Sequence, residues 1–376
     1  MARDVFRTDL CDLLGIDYPI VQSGMGGVAG PEMVAEVSRA GALGILAGLN
    51  VAPEDLRTMI RRVRELTDRP FGVNLWLHSA LRPPLDPATL PGDLVESAQE
   101  TLNTFRTRLG IPLRHDRPPR GPDVLDAAID VVLDERVPVF STGLVADHDA
   151  ALVGRCHERG VKVMAMVATV ADARAADASG ADVIVAQGGE AGGHRSIGDK
   201  PASPEAANIG TVALLPQVVD AVRAPVVAAG GLADGRGLVA ALALGASGVL
   251  LGTRFVATRE AVAPEFWKKA LLEKDGDATV LTDAFSGLWA RSLRNTYSEE
   301  YRKAGAPVLP PLVQRAAAQD VFTASVKQQT GEFFPMWSGQ SVGLIRDLPG
   351  AGEVVHAIVR EARQVLRALD SRVRLG

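Results

Sequence analysis

The sequence predicts an α/β fold of the (β/α)8 TIM-barrel class, and three observations carry it. Eight short apolar runs alternate with helical stretches over the first two-thirds of the 376 residues. Those runs are almost continuously apolar, as strands buried on both faces are. Eight such units close a parallel barrel. The competing open doubly wound sheet calls for G-x-G-x-x-G after the first strand, with an acid about 20 residues on. Gly24-Met25-Gly26-Gly27 does not have that spacing.

The first predicted strand is Pro19–Ser23, followed by a helix over Pro31–Ala40 that Gly41 stops. The second, Leu43–Ala47, leads to a helix opening at Pro53-Glu54-Asp55, with proline in the first turn and acids behind it. The third is Phe71–Trp76. The alternation then breaks over residues 78–122, a proline-rich insertion with a helical piece at Asp93–Leu109. Its basic run Arg114-His115-Asp116-Arg117, with Arg120, reads as a solvated loop. Strands four to eight are Val137–Thr142, Lys162–Val167, Asp182–Gln187, Pro225–Ala229 and Gly248–Leu251. Helices are expected between them at Ala146–Arg159, Val170–Ser179, Thr211–Val222 and Gly235–Leu244. Residues 257–339 then read as a mostly helical lid subdomain, with helices at Ala263–Lys274, Ser298–Lys303 and Leu312–Gln329. Residues 340–376 end in an amphipathic helix, Gly352–Leu369, suited to closing the barrel. The expected division is therefore barrel 1–256, lid 257–339 and closing segment 340–376. Connectivity puts both inserted segments at the carboxyl ends of the strands, where they are expected to set the substrate.

Composition narrows the function. The chain is 47% hydrophobic and 23% charged with a net charge of −5, which gives no sign of a nucleic-acid or membrane-surface partner. Cys11 and Cys156 are far apart and outside any metal spacing, and no zinc-type cluster of histidines occurs. With no apolar signal core at the N-terminus and no run of spanning length, a cytoplasmic protein is expected.

In this fold the active site lies at the carboxyl ends of the strands, and phosphate groups commonly bind where loops seven and eight meet. Those loops hold Gly230-Gly231 and Gly252-Thr253: glycines that let N–H groups approach a phosphate, plus a hydroxyl donor. The sixth strand runs into Gly188-Gly189-Glu190-Ala191-Gly192-Gly193-His194, and a histidine at such a place is expected to titrate near neutral pH and move a proton. No carboxylate pair, Ser–His–Asp order or Schiff-base lysine stands out. The strand ends carry Gln22, Asn74, Thr142 and Gln187, which suit the polar edge of a planar ring. A phosphate, a polar ring and one histidine together point to FMN, with the hard chemistry carried by the cofactor. A barrel that binds a phosphorylated metabolite without redox chemistry is the alternative from another class.

The chain resembles the class I nitronate monooxygenases, once called 2-nitropropane dioxygenases, over Leu13–Arg254 and again over Gly339–Ile345. The most specific pieces are Gln187–His194, Ala228–Gly235 and Leu250–Phe255. The resemblance implies an FMN-dependent barrel whose cofactor ligands match Asn74, Gln187, Gly192 with Gly193, and Gly231 with Gly230. Leu250, Leu251, Gly252 and Thr253 would complete the phosphate grip, and Gln22, Gly24 and Met25 would pack near the flavin. His194 matches the catalytic histidine that handles the α-proton of the nitro compound, the electrons passing by way of flavin to O2. Gly24 stands where the family often has a proline. The same barrel and Gly-Gly-His element occur in flavin-dependent enoyl-ACP reductases and NADH:quinone reductases, so NAD(P)H stays open as an electron donor. Tyr297 and Tyr301, one helical turn apart in the lid, could face the flavin, and ordinary packing is the expected reading.

Overall fold

The computed structural model describes residues 6–144, 149–197, 205 and 208–372. Eight parallel strands close into a barrel: β1 (Ile20–Gln22), β2 (Leu43–Ala47), β3 (Phe71–Trp76), β4 (Val139–Gly143), β5 (Lys162–Val167), β6 (Val183–Gln187), β8 (Val226–Ala229) and β9 (Gly248–Leu251). β1 pairs with β9 through Gln22 and Leu251, which completes the ring. Strands β1, β2, β4, β6, β8 and β9 are buried along their whole length, apolar except for Gln22, Ser141, Thr142 and Gln187 toward their carboxyl ends. Side chains alternate between two cores. Val21, Ile45, Met164, Val183, Val185 and Val227 fill the barrel, together with Leu10, Cys11 and Leu14 of a helix at Asp9–Leu14. The opposite faces, including Phe140, Ile184 and Val249, pack under the outer helices. Cys11 and Cys156 are free thiols in these two separate cores.

The helix at Asp9–Leu14 and another at Leu125–Asp134, which bridges the insertion back to β4, have no counterpart in the sequence reading. The helix expected at Ala146–Arg159 spans Ala150–His157, and residues 145–148 lie outside the described residues. The last helix, Ala351–Arg372, buries Val354, Val355, Ile358, Val359 and Ala362 against Gly235–Ala243 and Pro31–Arg39, the helices of the seventh and first units of the barrel, and so serves the eighth.

The lid is less helical than expected. β10 (Thr279–Thr282) and β11 (Ala290–Leu293) form an antiparallel pair, and β11 adds a third strand, β7 (Gly193–His194), from the glycine loop itself. Two residues of β7 are too few for any periodicity to announce them. Helices Glu265–Glu273, Thr296–Lys303 and Val313–Lys327 complete the lid.

The proline-rich insertion packs on the lid, its helix Gly92–Leu109 lying against Val313–Lys327. The two share a core of Leu102, Phe105, Phe285, Tyr297, Tyr301 and Phe322. Tyr297 stacks on Phe285 at 4.7 Å and on Tyr301 at 5.7 Å, so both tyrosines are packing residues. Beside them the fully buried Arg106 donates to Asp320 at 2.9 Å, to Gln99 and Asn103, and to the carbonyl of Ala317. The basic run is bonded, not merely solvated: Arg114 reaches Asp320, Arg117 the carbonyls of Pro87 and Leu90, and Arg120 that of Pro84.

Candidate active site

The carboxyl ends of the strands and the underside of the lid enclose a cavity of about 370 Å3. The barrel contributes Gly24, Met25, Asn74, Gln187, Gly192, Gly193, His194, Gly230, Gly231, Leu250, Gly252 and Thr253 to its lining. The lid contributes Trp267, Leu312, Arg315, Phe334 and Trp337. Of the residues expected there, Gln22 and Leu251 do not line it. Gln22 is fully buried and its amide is consumed by the backbone of Ile45, accepting from the N–H at 3.1 Å and donating to the carbonyl at 3.3 Å. Leu251 faces the core under the outer helices. No residue of 78–122 is among the described residues that line it; the insertion packs on the lid instead.

The glycine loop after β6 is braced from several sides. The Glu190 carboxylate accepts from the Thr211 N–H at 2.8 Å and from its hydroxyl at 2.8 Å. The buried Arg195 donates to the carbonyls of Gly188 and Ala191, and Arg291 donates to that of Gly189. Burial pushes the Arg195 guanidinium down to about 9, with the charge of Arg291 adding to the shift. The end of the lid crosses the loop at Gly192, where a Cβ would stand 2.5 Å from the Gly339 nitrogen, so only glycine fits. Gln187 serves the same loop, donating to the His194 carbonyl at 2.9 Å and accepting from Ser196 N–H at 2.8 Å. Arg195 and Arg291 went unread in the sequence. The one available signal was an arginine directly after Gly-Gly-His.

His194 is held by its backbone in β7 and by its ring. Nε2 lies 2.8 Å from the Ser286 hydroxyl, and the imidazole sits between Trp76 (4.6 Å between ring centroids) and Trp337 (4.9 Å). The imidazole pKa lies below the near-neutral value expected from the sequence. Burial among these rings, with the like charges of Arg315 and Arg195 and with His78, pushes the imidazole down to about 3. That direction favours the uncharged, hydrogen-bonding ring at neutral pH.

On the other wall, Gly230 and Gly231 have φ of +106° and +72°, a turn that disfavours any side chain. The N–H groups of Gly231, Gly252 and Thr253 find no acceptor among the described residues. The Thr253 hydroxyl accepts from Gly339 N–H at 2.9 Å, leaving its own proton to give. Gly24 lies so close to Asn74 that a Cβ there would come within 2.5 Å of the Asn74 Cβ. That contact accounts for glycine at this position.

A family profile described as nitronate monooxygenase matches residues 7–361. A protein of Staphylococcus saprophyticus named "Probable nitronate monooxygenase" is 32% identical, the alignment covering 96% of this chain and 98% of that one. A nitroalkane oxidase structure from Streptomyces ansochromogenes superposes with a TM-score of 0.86 at 34% identity, covering 96% and 99% of the two chains. The structure of FabK from Thermotoga maritima superposes with a TM-score of 0.75 at 30% identity, covering 98% of this chain and 100% of that one. A barrel, a braced Gly-Gly-His loop and this match along nearly the whole length lead to one conclusion: the chain is an oxidoreductase that belongs to the nitronate monooxygenase family.

Proposed function

We propose that the protein is an FMN-dependent nitronate monooxygenase that oxidises alkyl nitronates with O2. The observation that carries this reading is the pairing, in one cavity, of a glycine cradle whose N–H groups have no acceptor among the described residues and a histidine fixed against two tryptophans. The cradle fits FMN: Gly231, Gly252 and Thr253 would receive the phosphate, while Gly24, Met25 and Asn74 would border the ring. When bound, FMN supplies the electron transfer and the reaction with O2.

The chain's own residues orient the substrate and exclude water. Trp76, Trp337, Trp267 and Phe334 give the substrate side an apolar wall that suits an alkyl chain. His194 would act as a neutral hydrogen-bonding group toward the nitro oxygens. An imidazole whose conjugate acid sits near 3 is a weak base for removing a carbon proton at neutral pH. A weak base at this place favours the nitronate, which has already lost that proton, as substrate. General acid–base assistance is typically worth about 10²–10⁴-fold, and neutral nitroalkanes should be slower by at least the lower end of that range. Oxygen uptake with propyl-2-nitronate and with 2-nitropropane, on protein whose flavin absorbance near ~450 nm has been recorded, tests the reading. A colourless protein favours the non-redox barrel, and equal rates on the two substrates remove the preference for nitronate.

A further inference from the structure

The cavity wall holds a cation that neither the fold nor the cofactor cradle requires. Arg315 lies in the first turn of the lid helix Val313–Lys327 and lines the same cavity as His194. Its neighbour Gln314 turns the other way, bonding the Ala284 carbonyl at 2.8 Å and the Leu309 N–H at 3.0 Å, which leaves Arg315 on the cavity side. The guanidinium carbon stands 6.0 Å from the centre of the Phe322 ring, a weak cation–π support. Among the described residues no carboxylate pairs with Arg315, and those lining the cavity include no Asp, Glu or Lys. The buried arginines among the described residues are committed: Arg106 to Asp320, Arg195 and Arg291 to loop carbonyls, and Arg254 to Asp347 and the Ala257 carbonyl. Arg315 is half-buried in the wall, and that burial lowers its pKa from the ordinary value.

The same helix start is tied to the histidine. Leu312 N–H donates to the Ser286 carbonyl at 2.8 Å, and the Ser286 hydroxyl meets His194 Nε2. Arg315 and His194 are thus placed by one connected set of bonds, and the arginine's charge is among those that keep the imidazole neutral. The phosphate cradle belongs to the loops after β8 and β9, whereas Arg315 reaches the cavity from the lid.

We propose that Arg315 is the anion-binding, specificity-determining residue of the substrate site, its planar fork taking the two oxygens of a nitronate and so selecting the anionic over the neutral substrate. This rests on the nitronate reading above. The geometry of a nitro group, two oxygens on one planar centre, matches the guanidinium as a carboxylate does. A point charge on a flexible stem does not reproduce that match, so lysine should be a poor replacement.

The test uses the flavin-loaded protein and the variants Arg315→Met and Arg315→Lys, each checked for folding and FMN content. Two measurements run in parallel: KM and kcat with propyl-2-nitronate, and calorimetric binding of nitrate, a planar monoanion that is not turned over. Losing a charge-assisted bidentate contact should raise KM and weaken nitrate binding by on the order of 10–100-fold in Arg315→Met. Arg315→Lys should recover only part of that, with kcat changed less than KM and FMN content unaltered. Should the methionine variant fail to fold, the lysine variant alone carries the comparison. Wild-type turnover of nitronate with unchanged KM and nitrate affinity in both variants would overturn the assignment of Arg315 while leaving the function intact. A shift of flavin potential with unchanged KM would overturn it too, by giving the arginine to the cofactor. A wild-type protein that binds nitrate through Arg315 yet never oxidises nitronate would defeat the functional reading instead.

Discussion

A neutral His194 has a consequence for stability that can be measured without substrate. The perturbation is pH, and the reference is His194→Asn, which keeps a polar side chain of similar reach but no titrating ring. Folding lowers the imidazole to about 3. An unfolded histidine has its pKa near ~6.5. Below that value the unfolded chain takes up a proton that the folded chain refuses, so wild-type stability falls as pH falls, until the folded value is reached. Between pH 7 and 5 this linkage costs the wild type about 2 kcal/mol relative to the variant, close to 1.4 kcal/mol for each unit below pH 6. Equilibrium urea denaturation of both proteins at pH 7, 6 and 5 gives the difference directly. Shared acid effects from surface carboxylates cancel in the comparison. A stability difference that stays flat between pH 7 and 5 would place the folded imidazole near its unfolded value and refute the neutral-ring account of the site.

Two more outcomes follow from other contacts. Gly231→Asp sets a side chain at φ +72° and a carboxylate in the cradle. The protein should purify without flavin colour, and full FMN content in that variant would remove the cradle from the phosphate site. Asp320→Asn leaves the buried Arg106 its amide and carbonyl acceptors but no carboxylate, a loss of about 2–3 kcal/mol that should loosen the joint between insertion and lid. The Asp320 carboxyl is raised by burial, but Arg106 and Arg114 more than offset this and hold it below its usual range. Its contribution is therefore present above about pH 4 and lost as pH falls through the folded value. Protease cleavage of the lid, faster in the variant than in the wild type at pH 7 and converging in acid, checks both statements.

Much of the barrel was legible because strands buried on both faces write themselves as apolar runs. Leu43–Ala47, Phe71–Trp76, Lys162–Val167 and Gly248–Leu251 keep the bounds that the sequence indicates. The lid was less legible, because β10 and β11 are four residues each and β7 only two, and their pairing depends on where Gly193 and His194 are carried by the fold. The glycines and His194 announced a site, and most of the expected residues line one cavity. Gln22 was misplaced because a strand-end amide can turn to its neighbour's backbone as readily as to a ligand, and Ile45 takes it. The state of His194 was unreadable for a different reason. Its pKa is lowered first by burial against Trp76 and Trp337 and then by the charge of Arg315, residues 118, 143 and 121 positions away in the chain (the differences of their numbers from 194), with only Arg195 a neighbour in sequence. Arg315 went unread in the sequence, and only the folded lid brings it to the cavity wall.

The most direct test of the account is an anaerobic mix of the purified yellow protein with propyl-2-nitronate, NADH and NADPH in turn, following the flavin band near ~450 nm. The account predicts rapid bleaching by the nitronate alone and recovery of the band when O2 is admitted. Bleaching by NADH or NADPH with none by the nitronate would contradict it, and would make the protein a nicotinamide-dependent flavin reductase of enoyl thioesters or quinones built on the same barrel.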